Sequence, residues 1–326
     1  MRITMNNPTL PLAKTLPNVS RLVFGCMGLG GEWNRNPLTA QDENQAYAAV
    51  EAALEVGINL FDHADIYKFG KAEEVFGRIL ANDSTLRERI YLQSKCGIRL
   101  GDEQGVKQYD FSAKWVTASV ESILERLAVE NLDVLMLHRP DPLVEFEELG
   151  TALQALKQAG KVNHFGVSNM NSAQIDLLQQ ATGEVVVANQ LEMSLAKSDF
   201  IKQGMGLPSS ASDYVAGTLE HARKHNIQLQ AWGSMAQERF SERGLHSDDH
   251  NTRQTAEMVM ALAAEYGVSS EAIVLAFLTR HPNQIQPVIG TANPQRIRAC
   301  AQVENVTLSR SHWYGLFEKT LGHEIP

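Results

Sequence analysis

Asp62, Tyr67, Lys95 and His138 are four side chains that could together hand a proton to a carbonyl oxygen. A phenol near its ordinary pKa of about 10 is a sluggish donor. A neighbouring ammonium stabilises the phenolate, lowers that pKa and eases donation to a developing alkoxide. Lys95 can supply that charge if Asp62 holds it, because a buried unpaired ammonium tends to lose its proton. His138 offers a hydrogen bond to the same oxygen as negative charge develops. Taken singly, each has a plain structural reading: a strand-end acceptor, a satisfied charge or a packed ring. Their joint placement is what carries weight.

That placement depends on the elements around them. Short Val/Ile/Leu-rich runs alternate with longer segments of helical spacing, the pattern of parallel βα units. The strand candidates are "RLVFG" (21–25), "INLFD" (58–62), "IYLQSK" (90–95), "LDVLMLH" (132–138), "VNHFGVSN" (162–169), "EVVVANQ" (184–190), "IQLQAW" (227–232) and "IQPVIG" (285–290). Helical segments such as "ENQAYAAVEAALEVG" and "SAKWVTASVESILERLAV" separate them, with Gly57 and Gly160 at expected helix stops. Eight such strands predict one (β/α)8 barrel over 1–326, the barrel proper at about 19–302 and a C-terminal helical segment at about 303–326.

In a barrel, functional side chains stand at the carboxyl ends of strands. In order, the strands deliver Gly25, Cys26 and Met27; Asp62 then Tyr67; Lys95; His138; Ser168 and Asn169; Asn189 and Gln190; Trp232 and Ser234; Gly290 and Thr291. Three long connections, 96–111, 191–211 and 233–252, follow strand ends and gather on that face.

The composition excludes several classes. Of 326 residues 44% are hydrophobic, ample for a core, and the net charge of −9 argues against nucleic acid or an anionic membrane as a main partner. Cys26, Cys96 and Cys300 lack C-x-x-C spacing, and an odd count forms no closed disulfide framework. With no signal-type h-region and no apolar run long enough to span a bilayer, the expectation is a cytoplasmic protein with reduced thiols. "GCMGLGG" (25–31) does not match G-x-G-x-x-G, no H-E-x-x-H or G-x-S-x-G occurs, and His246 and His250 lack a third defined ligand, so no metal is expected.

"FDHADIY", "LQSKCG", "LHRPD", "FGVSN", "NQLEMSL" and "PVIGTANPQRIR" occur in the order and at about the separations of the aldo-keto reductase family, which the chain resembles over about 19–302. The resemblance implies a (β/α)8 barrel that binds NADP(H) across its carboxyl face and moves hydride to an aldehyde or ketone. By matched position, Asp62, Tyr67, Lys95 and His138 resemble its catalytic tetrad, with Tyr67 as general acid. Ser168, Asn169 and Gln190 resemble the groups that hold the nicotinamide carboxamide, and Trp232 falls where a Tyr usually stacks on the ring. Gly233, Ser234, Met235 and Ala236 look like its pyrophosphate segment, and Gly290, Thr291, Asn293 and Arg296 like its 2′-phosphate end.

Gly25, Cys26 and Met27 would line the floor and, with Asp62, contact the cofactor, while Met27, Trp33 and Met193 would shape the pocket of a small carbonyl substrate. The sequence departs from the family where Ala299 and Cys300 replace adenine-contacting Glu and Asn, where Gly290 replaces a Lys found in some members, and where Lys68 replaces a small residue. A second expectation on the same resemblance is a cofactor-loaded regulatory subunit with slow turnover, like potassium-channel auxiliary subunits. A third, a Schiff base on Lys95, would leave Asp62 and Tyr67 incidental. Neither the substrate nor the oligomeric state is written in the sequence.

Overall fold

The structure is a computed structural model that describes residues 9–101, 105–205 and 215–326. Eight parallel strands close into a barrel: β1 Val23–Gly25, β2 Leu60–Asp62, β3 Tyr91–Cys96, β4 Leu132–Leu137, β5 Val162–Ser168, β6 Val186–Glu192, β7 Gln228–Trp232 and β8 Gln286–Ile289. Closure runs through Phe24, which is in register with Ile289 of β8 on one side and Phe61 of β2 on the other. The next step along β1 sets Gly25 beside Asp62.

Helices cover the outside. Ala40–Glu55 (α1) starts at Thr39, whose side chain accepts from the Asp42 N–H while the Asp42 carboxylate caps Thr39 in return. Lys71–Asn82 (α2), Ala113–Leu127 (α3) with Ser112 as cap, Phe146–Gln158 (α4) and Ser172–Thr182 (α5) follow, then Thr218–His225 (α6). His250–Tyr266 (α7), Ser270–Thr279 (α8), Pro294–Ala301 (α9) and Arg310–Leu321 (α10) complete the ring. Gly57 and Gly160 end their helices at φ +81° and +71° as the sequence leads one to expect, whereas α3 stops at a left-handed Ala128.

The main core lies between strands and helices, through residues such as Phe61, Phe76, Val116 and Phe277, and α10 seals it with Trp313 stacked on Phe277 at 4.9 Å. Inside the barrel a second apolar cluster, Val23, Leu60, Val134, Met136 and Val288, is closed from below by Leu12 and Leu16. Polar side chains share the interior with it. Gln93 donates to Gln230, Gln190 donates to Gln230, and Gln230 donates to Gln286. Barrel interiors are more usually filled by branched apolar side chains; here buried glutamines satisfy one another instead.

The long connections carry local structure. Residues 96–111 include a two-stranded antiparallel hairpin, Ile98–Arg99 with Gln108–Tyr109, hinged at Gly97, where φ is +103° and a Cβ would lie 2.1 Å from the Phe111 ring. Part of 191–211, residues 206–211, falls outside the described residues. Among the described residues no single helix is long and apolar enough to cross a membrane; α7 and α8 pass that test only together, with a 95° bend between them.

Candidate active site

The carboxyl ends of the strands surround a cleft of about 760 Å³. A cavity of similar size, about 800 Å³, lies elsewhere around Leu10, Arg21 and Arg280, but it holds none of the strand-end groups. At the base of the cleft Lys95 and Asp62 are buried together, with side-chain exposures of 0% and 2%. The Lys95 Nζ donates to Asp62 Oδ1 at 2.7 Å, Oδ2 at 2.6 Å and the His63 carbonyl at 2.9 Å, and lies 3.3 Å from the Tyr67 hydroxyl. Gln93, two residues before Lys95 on the same face of β3, donates to Asp62 Oδ1 at 2.6 Å.

Burial pulls the Lys95 pKa down, but the Asp62 carboxylate and the Tyr67 phenol outweigh it and the net shift is upward, so Lys95 stays an ammonium. The Tyr67 phenol shows the reverse balance. Burial pushes it up more than Lys95 draws it down, so the sequence expectation of a lowered phenol pKa does not hold. His138, whose ring meets that of Tyr67 edge-on at 6.1 Å, is held far below its usual range by burial and then by Lys95, Arg139 and Lys107. It is a neutral imidazole whose Nδ1 has no hydrogen-bond partner among the described residues.

Backbone bonds between strands hold these groups in place. The Asp65 N–H donates to the Lys95 carbonyl at 2.9 Å, the His138 N–H to Cys96 at 2.9 Å, and the Asn169 N–H to Gln190 at 3.0 Å. After Tyr67 the chain takes a left-handed turn at Lys68, Phe69 and Gly70, with φ of +53°, +60° and +91°. That conformation is why a small residue is at home after the tyrosine; Lys68 adopts it with its ammonium 5.5 Å from the Trp33 ring.

One wall of the cleft is a chain of polar groups. Trp232 Nε1 donates to Asn169 Oδ1 at 3.1 Å, Asn169 Nδ2 donates to Ser168 Oγ at 2.7 Å, and Ser168 Oγ donates to the Gln190 carbonyl at 2.9 Å. A planar carboxamide fits such a wall: Ser168 Oγ can accept as well as donate, and Gln190 keeps its amide oxygen free once its nitrogen bonds Gln230. The adjoining indole face offers stacking.

The far end differs. Gly233, Ser234, Met235, Gly290, Thr291 and Arg296 all line the cleft. Ser234 spends its hydroxyl on the Val288 carbonyl at 2.8 Å. Arg296 forms an ion pair with Glu238, which belongs to a second left-handed turn, Ala236, Gln237 and Glu238, with φ of +50°, +54° and +64°. Asn293 caps α9 by accepting from Gln295 and Arg296, so N–H groups that the sequence leaves free for an anion are already satisfied.

Cys26, Met193, Ala236 and Asn293 are not among the residues lining the cleft. Cys26 is fully buried and its thiol points back to the Phe24 carbonyl. Met193 shares the face of Leu191, because side chains alternate, and both lie in the main core. Met27 and Trp33 do line the cleft and are half exposed, at 50% and 43%. Sequence reasoning missed Gly28, Ile66, Arg139, Glu238 and Glu271 as lining residues. It also missed Gln93, although its spacing of two from Lys95 was a usable signal.

A closed eight-stranded parallel barrel with this carboxyl-face cleft defines the class as a (β/α)8 protein. The chain belongs to the Aldo/keto reductase family, whose match spans residues 21–318. It is similar to the 6-dehydroglucose reductase of Agrobacterium fabrum, 34% identical over 94% of this chain and 96% of the relative. Oxidoreductase YdhF of Escherichia coli is 31% identical over 97% of this chain and 99% of its own. The same fold occurs in the glycerol dehydrogenase of Gluconobacter oxydans, with a TM-score of 0.75, 24% identity and coverage of 94% and 92%. These relatives place the chain among oxidoreductases, in a family whose chemistry generally uses a nicotinamide cofactor.

Proposed function

We propose that the protein is an NADPH-dependent reductase of a small aldehyde or ketone, with Tyr67 as the general acid. The observation that carries this reading is the chain Asp62–Lys95–Tyr67 at the base of the cleft. NADPH, when bound, supplies the hydride. Every other step belongs to side chains. Tyr67 gives its proton to the carbonyl oxygen as charge develops, and Lys95, fixed by Asp62 and the His63 carbonyl, stabilises the phenolate left behind. A neutral His138 orients the carbonyl by donating a hydrogen bond without competing for the proton.

Ser168, Asn169 and Gln190 would hold the carboxamide, Trp232 would stack on the ring, and Arg296 would meet the 2′-phosphate after exchanging Glu238 for it. The barrel as a single domain and a cytoplasmic setting belong to the same proposal. A buried, fully partnered Lys95 supports this reading over a Schiff-base amine, which needs a free nucleophile.

The test is titration with NADPH and with NADH, read by tryptophan fluorescence, in the parent and in Trp232→Ala. Tight NADPH binding with quenching lost in Trp232→Ala is the expected result. Binding of neither nucleotide overturns the proposal.

A further inference from the structure

We infer that the substrate half of the cleft is built for a carbonyl compound carrying an acidic group, with Arg139 as the residue that receives it. The inference rests on the reductase reading above and narrows its substrate.

The chain has 38 acidic and 29 basic residues, so counter-charges are plentiful. Yet Arg139, Lys68, Arg35 and Lys107 form no ion pair among the described residues. Three of them rest on aromatic rings. The Arg139 guanidinium lies 5.4 Å from the Trp232 ring, Lys68 Nζ 5.5 Å from Trp33, and Arg35 4.7 Å from Phe69, whose ring meets Trp33 at 6.0 Å. The fourth, Lys107, acts with Arg139 on His138, whose imidazole both hold in the neutral form after burial has done most of the work.

Arg139 is the member inside the cleft, one residue beyond His138 and half-buried. A guanidinium on one face of an indole leaves the opposite face for a stacked ring and keeps its own N–H edge free, and that edge matches a carboxylate or phosphate with two parallel hydrogen bonds. Trp232 is itself fixed by its bond to Asn169, so the platform is set before a ligand arrives. The carboxylates lining the cleft do not oppose an anion there. Asp62 is neutralised by Lys95, while Glu238 and Glu271 belong to the Arg296 end, where both raise the arginine's pKa. A substrate with its carbonyl at Tyr67 and its acid at Arg139 therefore finds compensated charge along its length, with Met27 and Trp33 against its apolar body.

The test compares 4-carboxybenzaldehyde, its neutral methyl ester and 4-formylphenyl phosphate at saturating NADPH, in the parent, Arg139→Met and Arg139→Lys. The acids should exceed the ester in kcat/KM by about tenfold or more in the parent. The ratio should collapse towards one in Arg139→Met, recover in part in Arg139→Lys, and fall with added salt. Which acid leads separates a carboxylate from a phosphate substrate. An ester as good as the acids in the parent overturns the inference, and that comparison needs no variant to fold. So does an Arg139→Met protein that keeps the ratio while losing NADPH affinity, which would make Arg139 a cofactor contact. Terephthalate, which cannot be reduced, separates the two readings. If it quenches fluorescence in the parent and not in Arg139→Met while no aldehyde turns over, the acid site stands and the reductase proposal falls.

Discussion

At the Tyr67 end of the cleft, charge is buried against its counter-charge; at the Arg296 end, another pairing of a basic side chain with a carboxylate lies half open. Lys95 and Asp62 are 0% and 2% exposed, Arg296 and Glu238 36% and 39%. Burial makes the first pair costly to disturb and screening makes the second cheap to exchange. The comparison separates a part of the site that must stay fixed through a reaction from a part that must let a ligand in.

Tyr67→Phe tests the fixed end at its most sensitive point. Turnover should fall by about 10²–10⁴-fold, the usual worth of a positioned general acid, while NADPH affinity stays close to that of the parent. Single-turnover NADPH oxidation measures the first and fluorescence titration the second. Full turnover would remove Tyr67 from the acid role.

Asp62→Asn comes next. It leaves Lys95 buried without its counter-ion, and breaking such a pair costs about 3–5 kcal/mol, read as a lowered urea midpoint. If the loss stays below about 1 kcal/mol, the range of an exposed pair, the contrast between the two ends collapses.

Much of this arrangement is legible in the sequence, and the parts that are not share a cause. The eight strand runs, the body of α1 with its stop at Gly57, and the strand-end residues Asp62, Lys95, His138 and Trp232 can be read from local periodicity, because each strand delivers its last side chains to one rim. Observed strands are mostly shorter, β2 beginning at Leu60 rather than Ile58, since flanking residues taper into turns before the ladder starts. Contacts between distant segments are not written locally. Glu238 reaching Arg296 and the glutamine contacts depend on which strand lies beside which, whereas Met193 turning away follows from the alternation it shares with Leu191. Left-handed turns on non-glycine residues, at Lys68 and at Ala236–Glu238, give no composition signal at all.

A pH series tests how dry the fixed end is. His63 is fully buried, neither ring nitrogen has a partner among the described residues, and burial followed by the Lys95 charge lowers its pKa to about 3. The unfolded chain takes up a proton near pH 6.5 that the folded one refuses. Below that pH the unfolded state binds more protons, and stability falls as pH drops towards 3. Asp65, raised to about 8 chiefly by burial, works the other way, gaining stability as pH falls through its folded value. His63→Leu removes only the first effect. Its stability relative to the parent should improve by about 1.4 kcal/mol per pH unit between pH 6 and 4, measured by urea unfolding. A pH-independent difference would mean that water reaches the ring.

Glu238→Gln is the same carboxylate-to-amide change as Asp62→Asn, made at the open end, and its effects should be the smallest. Stability should move by less than about 1 kcal/mol, since both partners are over a third exposed and screened. The effect of interest is on ligands. Arg296 without Glu238 has its guanidinium free, so a 2′-phosphate no longer competes with a carboxylate for it, and a nearby negative charge is gone. NADPH affinity should rise by about three- to tenfold, the equivalent of ~0.6–1.4 kcal/mol, while NADH affinity changes little. Loss of NADH affinity instead would show Glu238 accepting from the ribose hydroxyls, and the half-open pair would then be a built preference for the unphosphorylated cofactor rather than a gate that the phosphate opens.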